Sequence, residues 1–429
     1  NFRRDGDSFF KENEEYWGNF PSFSAGWVIS REEFMSNSGI DFLKIRGGYG
    51  KLGNANVPQL NTNTVSTDPG SNSNNYVFGP NQSLIFGSSF GTPVTELTWE
   101  KTNEIFAGLD ISILESRLSA NLDYYNRTTE NAIMNVKPLL NSAFQASYYD
   151  HGGEVNNEGF EVALNWQDQV SEDFSYSIGV NYGYNKNVLQ DVKPAYDGNT
   201  GGSLANGQIT KRLQEGQPLY AWWMYEADGV WQTQEEIESN PSLVSAAPGH
   251  LRYKDQNGDG LIDDRDKKYF GSYIPTYNYG INIGANYKNF DLSVSGFGVG
   301  GNKVYNGLYN TRLGGENISE EIFNKRWTGP GSTNVNPGAD RDVEASSYYL
   351  EDGSYFRINN ITVGYTLPEI SSFINSARVY VTLQNPFMFT DYCGFTPELN
   401  QDGDPTTTTG VELSAYPNTR SFIVGANFK

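Results

Sequence analysis

The sequence predicts an all-β chain, an antiparallel transmembrane β-barrel wall, and three observations carry that expectation. Apolar and polar residues alternate in run after run, the connections between runs alternate short and long, and aromatic residues gather at the ends of the apolar faces. The pattern is sharpest in YNYGINIGANYKNFDLSVS, Tyr277 to Ser295. Strand side chains alternate faces with period two, so Tyr277, Tyr279, Ile281, Ile283, Ala285 and Tyr287 share one face. Asn278, Gly280, Asn282, Gly284 and Asn286 share the other. Lys288-Asn289 reads as a tight turn, after which Phe290, Leu292 and Val294 alternate with Asp291, Ser293 and Ser295.

Composition allows a membrane wall and disfavours other classes. The chain has 429 residues, 46 glycines, 14% aromatic residues and a mean hydropathy of -0.56. No run approaches the ~18 consecutive apolar residues of a membrane-spanning helix. A barrel wall needs apolar residues only at alternate positions, so low average hydropathy is compatible with it. The net charge of -21 and the lack of a Lys/Arg-rich run argue against a nucleic-acid partner, because phosphates would be repelled. Acidic, asparagine-rich loops suit an extracellular face and divalent cations. Cys393 is the single cysteine, which leaves no internal disulfide framework and no cysteine-based metal site. The chain opens on Asn1 without a signal peptide, so we expect sequence to precede it.

In chain order the first strand is expected at Ser24 to Arg31 and the second at Phe42 to Leu52, where Leu43, Ile45 and Tyr49 alternate with Lys44, Arg46 and Gly48. A polar stretch follows to about Thr102, with Tyr76, Phe78, Leu84, Ile85 and Phe86 available to pack it down. Asn103 to Leu114 and Arg117 to Arg127 form a hairpin, and Asn157 to Gln167 pairs with Phe174 to Asn187. The hairpin of Tyr277 to Ser295 comes next. Tyr355 to Leu367 and Ala377 to Gln384 are joined by Pro368 to Ser376, short enough for one helical turn, and Thr419 to Lys429 closes the chain. That makes about eleven strands. The long loops fall at about 53–102, 128–156, 188–275, 300–354 and 386–418. Brief turns at one end and long loops at the other are the asymmetry of bacterial outer-membrane barrels. An odd strand number cannot close by antiparallel pairing alone, so partner strands are expected from outside the chain.

Several segments together resemble a known family. FLKIRGGYGKLGN (Phe42 to Asn54), LTWEKTNEIFAGLD (Leu97 to Asp110), RLSANLDYYNRTTENAI (Arg117 to Ile133) and GGEVNNEGFEV (Gly152 to Val162) occur in order. GHLRYKDQNGDGLIDDRDKKYFG (Gly249 to Gly271), SYFRINNITVGYTLP (Ser354 to Pro368) and VYVTLQNPFMFTDYCGFTPE (Val379 to Glu398) follow. This series is similar to the C-terminal half of SusC/RagA-type TonB-dependent outer-membrane transporters of Bacteroidetes. The resemblance implies a plugged barrel of about 22 strands, with the plug domain outside this chain. It also implies import of oligosaccharides or peptides, energy from TonB through an N-terminal region, and a SusD-like surface lipoprotein as a lid. A dimer of transporter–lid pairs is among the assemblies it allows. The terminal Phe428-Lys429 departs from the aromatic last residue common in such barrels.

Two local features are candidate sites. Asp255, Asn257, Asp259, Leu261 (through its carbonyl), Asp263 and Asp266 match the spacing of a calcium loop, with Gly260 at the sharp turn. Asp266 stands where a bidentate Glu is usual, and no flanking helices are evident; the competing reading is a solvated Asx/Gly turn. Tyr220, Trp222, Trp223, Tyr225 and Trp231 form an aromatic run that could stack on sugar rings or grip peptide side chains. Such residues are also used as interfacial anchors or loop packing.

Catalytic patterns lack their context. Gly87 to Gly91 fits a nucleophile elbow by letter, and Gly296 to Gly301 a dinucleotide fingerprint, but neither has the strand-to-helix setting that the chemistry needs. His151 and His250 are expected in loops without a nucleophile, and Cys393 as a small apolar residue packed in its loop. An importer wall is therefore preferred over a passive porin-like or scaffolding barrel, and over a secreted glycan-binding β-sandwich. We expect no enzymatic activity.

Overall fold

The computed structural model describes the chain apart from residues 9, 11–15, 56–64, 67–75, 79, 81, 86–88, 91–96, 137–147, 199, 205–207, 309–318, 339–343, 369–375, 400–408, 414 and 429. Twelve strands join in one sheet in simple sequential order. They are β1 (Phe2–Gly6), β2 (Trp17–Val28), β3 (Ile40–Asn54), β4 (Glu100–Ile113), β5 (Leu118–Val136), β6 (Tyr148–Ser171) and β7 (Phe174–Val192). The series continues through β8 (Tyr277–Tyr287), β9 (Phe290–Gly300), β10 (Tyr355–Leu367), β11 (Ala377–Thr390) and β12 (Ser421–Phe428). Every neighbour in this sheet is antiparallel.

The expected strand count of eleven is corrected to twelve among the described residues. The extra strand, β1, reads FRRDG and carries no alternation to announce it; it is held by pairing with Trp17 to Pro21. The argument from an odd number falls with it. Boundaries move too. The predicted first strand at Ser24 to Arg31 is Trp17–Val28, and its expected end is a 3-10 turn, Ile29–Arg31. Most of the expected loop 128–156 is strand, because β5 and β6 run past the apolar region and keep pairing as far as Tyr148 with Val136. Likewise β11 runs on to Thr390, through a register shift opposite Ile358 and Asn360. Tight turns follow β4, β6 and β8, and long connections follow β3, β7, β9 and β11, but the expected strict alternation lapses after β1, β2 and β5, whose connections 7–16, 29–39 and 137–147 are alike in length. Much of Pro368 to Ser376 lies outside the described residues.

Register turns the alternation into two continuous surfaces. Leu164, Val180, Ile281 and Gly296 lie in one row, and Trp166, Ile178, Ile283, Val294 and Ile361 in another, each row crossing strands at the same height. Rings mark both margins of this apolar face. Near the long loops Tyr182 stacks on Tyr277 at 6.2 Å, and Tyr279 on Phe356 at 5.6 Å. Near the short turns Phe174 meets Tyr287 at 6.4 Å, and Phe290 meets Tyr365 at 4.7 Å. Eight to ten residues separate the two margins on β8, which at ~3.3 Å per residue and a tilt of ~40° spans ~20–25 Å. That matches the ~25 Å apolar band of an outer-membrane barrel.

Glycines on this face make room for the rings. A Cβ on Gly298 would lie 2.6 Å from the Tyr279 ring, and one on Gly296 would lie 2.6 Å from Phe356. The letters that mimic a dinucleotide fingerprint are thus cradles for aromatic neighbours on β9.

The opposite face is polar and partly charged. Arg46 on β3 reaches across Gly108 of β4 to Asp123 of β5, donating two hydrogen bonds at 2.6–2.7 Å, and also bonds Asp110 at 3.2 Å. A Cβ on Gly108 would sit 2.6 Å from both Arg46 and Asp123. Arg378 makes the equivalent fork to Asp291 beside Gly364.

These faces predict asymmetric tolerance on β6. In the full-length protein folded into lipid vesicles, Leu164→Arg at mid-height should cost about 2–4 kcal/mol. Its neighbour Asn165→Arg, on the polar face, should cost clearly less. Urea midpoints read by heat-modifiable gel mobility make the comparison, and equal midpoints would reverse the face assignment.

Candidate functional site

Described residues of three long connections, those after β7, β9 and β11, pack together at one end of the sheet. Thr200–Ser203, Ile209–Arg212, Ala221–Tyr225 and Lys267–Tyr269 form a four-stranded sheet, and Ala227–Val230 pairs with Leu251–Tyr253. Lys303–Asn306 lies between Leu350–Asp352 and Val411–Glu412, so segments from two different connections share one small sheet. Under them is the largest hydrophobic cluster among the described residues. It includes Leu189, Leu213, Tyr220, Trp222, Met224, Val230, Leu251, Tyr305 and Tyr349.

The aromatic run proposed as a cargo contact sits inside this cluster or at its margin. Tyr220, Trp222 and Trp231 are 1%, 0% and 2% exposed, and Trp223 and Tyr225 only 8% and 5%. Strand Ala221–Tyr225 is buried on both faces, so alternation there does not separate inside from outside. Trp222 donates from Nε1 to the Lys303 carbonyl at 3.1 Å, and its ring meets Tyr273 and Tyr305 at 6.4 and 6.2 Å. The Lys211 ammonium lies 4.2 Å from Tyr273 and 5.0 Å from Trp222, and bonds the Thr409 carbonyl. Lys267 lies 4.9 Å from both Trp223 and Tyr225. Burial pushes the Tyr225 phenol well above its ordinary range. Packing uses the surface of these rings; what remains for a cargo is a sliver of Trp223.

The acidic loop is held closed by its own groups. Asp255 accepts from the Gly258 and Gly260 amides at 2.6 and 2.9 Å, and these bonds, Gly260 foremost, lower its pKa. Gly258 and Gly260 have φ of +74° and +82°, left-handed values that favour glycine. Asn257 accepts from the Asp259 amide at 2.8 Å, and Asp259 from the Leu261 amide at 3.0 Å. Asp263 caps the 3-10 turn Asp264–Asp266 reciprocally with Asp266, which is fully buried and accepts from the Gln256 and Asp263 amides. Arg265 places its guanidinium 2.8 Å from Asp259 and 2.7 Å from Asp263, and holds the Asp263 carboxyl below its ordinary range. The donor types suit a hard cation, but the arrangement does not gather them. Among the described residues no three Asp, Glu, His or Cys side chains are close enough to hold an ion.

Other expected sites resolve differently. His151 lies in strand β6, not a loop; its Nε2 accepts from the Thr98 amide at 2.8 Å while Nδ1 faces the Asn131 carbonyl at 2.7 Å. Cys393 is exposed rather than packed, and the Gly87 to Gly91 pattern lies mostly outside the described residues. Sequence reasoning missed Lys211 and Arg265, because each acts through partners that only the folded loops bring near.

Comparison with known proteins fits this architecture. No family model matches the chain. TonB-dependent receptor P3 of Formosa agariphila is 31% identical over 442 residues, covering 100% of this chain and 43% of the receptor. TonB-dependent receptor SusC of Bacteroides thetaiotaomicron is 27% identical over 444 residues, 100% of this chain and 41% of the receptor. Among solved structures, the RagAB peptide transporter superposes with a TM-score of 0.78 at 20% identity, covering 100% of this chain and 45% of that one. The fold is that of a TonB-dependent transporter barrel. Along its whole length the chain is similar to TonB-dependent receptors, SusC among them. It spans less than half the length of these relatives.

The packing role makes a specific prediction. Trp222→Ala should destabilise the loop layer by about 3–5 kcal/mol. Hydrogen exchange should rise in Ala221–Tyr225 and Lys303–Asn306 while β7 and β8 stay protected. Unchanged exchange coupled with lost uptake would return the ring to cargo contact.

Proposed function

We propose that this chain supplies the outer-membrane wall and loop cap of a TonB-dependent nutrient importer. The observation that carries the reading is the twelve-strand wall with one apolar face, at one end of which the described residues of the connections after β7, β9 and β11 share one hydrophobic cluster. Homology to TonB-dependent receptors along the whole chain supports it. In this reading the apolar face meets lipid, the short turns face the periplasm and the loop layer faces outward. Cargo, an oligosaccharide or a peptide, is captured between the loop layer and a SusD-like lipoprotein lid. TonB then acts on a plug contributed by sequence outside this chain. The chain binds, seals and orients, and no bond is made or broken on it.

A passive pore would conduct without energy. Cells carrying the full-length protein should take up cargo in a TonB-dependent manner, with uptake falling to background in a strain lacking TonB. Equal uptake in both strains would favour the porin-like reading.

We also propose that residues 255–266 accept calcium once Arg265 leaves Asp259 and Asp263. Support comes from the spacing of donors and from Arg265 already serving as a cation for two of them. Calcium should slow proteolysis within the loop, and Arg265→Gln should show that protection at a lower calcium concentration. Identical digestion in calcium and in EGTA, for both proteins, would remove the proposal.

A further inference from the structure

The connection after β11 begins with a segment that belongs to no strand or helix, Asp391 to Glu398, DYCGFTPE. Side-chain carboxylates hold its backbone in place of a ladder. Tyr392 donates its hydroxyl to Glu412, which is 0% exposed, and the Phe395 amide donates to the same carboxylate at 3.0 Å. The Cys393 amide donates to Glu351 at 2.8 Å, and Glu351 also accepts from Asn306 at 2.6 Å. Glu351 and Glu412 lie on the two strands that flank Lys303–Asn306, so the first half of the segment is fixed to the core of the loop layer.

The second half reaches the inner wall. Glu398 pairs with Arg357 and accepts from Asn418, and the Glu398 amide turns back to Thr396 Oγ1 at 3.1 Å. Arg357 stands opposite Phe297 and Met388 in register, on the polar face of β10, while its neighbour Phe356 joins the ring row of the apolar face. The segment therefore runs from the loop layer onto the polar face at the long-loop end of the wall.

Its two attachments differ in kind. Releasing Glu412 would strand a fully buried carboxylate, which is costly. The Arg357 and Glu398 side chains are 22% and 16% exposed, so water can take the place of either partner. Arg357 also donates to Asn359 at 3.0 Å, a bond within β10 that remains when Glu398 leaves. Between the attachments Cys393 is exposed and Phe395 is 56% exposed, so the middle of the segment adds little apolar burial to hold it down.

We propose that residues 391–398 are a strap, hinged at Glu351 and Glu412 and clasped at Arg357, that closes over the polar face of β10 and β11 and lifts when Arg357 releases Glu398. Closed, it covers the wall around Arg357 and Met388; lifted, it leaves the guanidinium facing the lumen. The inference rests on the import reading, which puts this end outside the cell, and adds a gate at the mouth of the barrel.

The test labels the full-length transporter in intact cells with a membrane-impermeant polyethylene-glycol maleimide, after replacement of any cysteine outside residues 1–429. Cys393 in the otherwise native chain reports orientation, and Met388→Cys with Cys393→Ser reports access beneath the strap. Labelling at 388 should quicken about tenfold with Glu398→Gln, the loss of one charge-assisted hydrogen bond. It should stay within about twofold with Arg378→Gln, which breaks an ion pair of the neighbouring wall that the strap does not touch. The exchange Arg357→Glu with Glu398→Arg should bring the rate back toward that of the parent. Heat-modifiable gel mobility confirms that each variant is folded. An unchanged rate with Glu398→Gln, an equal rise with Arg378→Gln, or an exchange no slower than Glu398→Gln would overturn the strap while Cys393 labelling leaves the import reading standing. If Cys393 reacts only after the cells are broken, the orientation fails, and the import reading and the strap fall together.

Discussion

A strand in hydrocarbon has no water to satisfy its N–H and C=O groups, so each must pair with a neighbour. That requirement explains why twelve strands pair in unbroken sequential order from Phe2 to Phe428. Once the ladder is set, register aligns side chains at equal height across strands. The row of Leu164, Val180 and Ile281 is a consequence of pairing as much as of composition. One slip by a residue would turn each apolar row toward the polar side.

Glycine serves opposite ends on the two faces. On the apolar face Gly296 and Gly298 let aromatic rings lie across the neighbouring strand, which levels the surface presented to lipid. On the polar face Gly108 and Gly364 clear space for arginine to reach carboxylates, and Gly280 and Gly284 let small polar side chains fold down. The same residue therefore permits long charged side chains in one sector and flat-lying small ones in another. This local choice gives the lumen wall regions of different relief without changing the backbone.

Above the wall, stability comes from a conventional hydrophobic core built out of loops. Trp222, Tyr220 and Tyr305 fill it, and Lys211 is accommodated because aromatic faces and a backbone carbonyl stand in for water. Segments from two connections pair at Lys303–Asn306, and Trp222 from a third bonds the Lys303 carbonyl, which ties the three together. Arg265 completes the acidic loop in a comparable way, setting a fixed positive charge between two carboxylates that would otherwise repel.

From the sequence alone came the all-β class, the tight turns after β4, β6 and β8, the two faces of β8 and β9, and the resemblance carried by seven segments in order. These are periodic or local signals, and a strand's faces follow from period two regardless of what it pairs with. β1 was invisible because FRRDG owes its strand conformation to pairing with Trp17 to Pro21. The aromatic run looked equally suited to a rim or a core, since residue type records apolar area and not whether that area is covered. Tertiary structure decided that, burying Trp222 against a strand 81 residues away in the chain. It likewise decided that Asp255 to Asp266 close on backbone amides and Arg265, because donor spacing sets which oxygens can converge and only the folded loop sets which do.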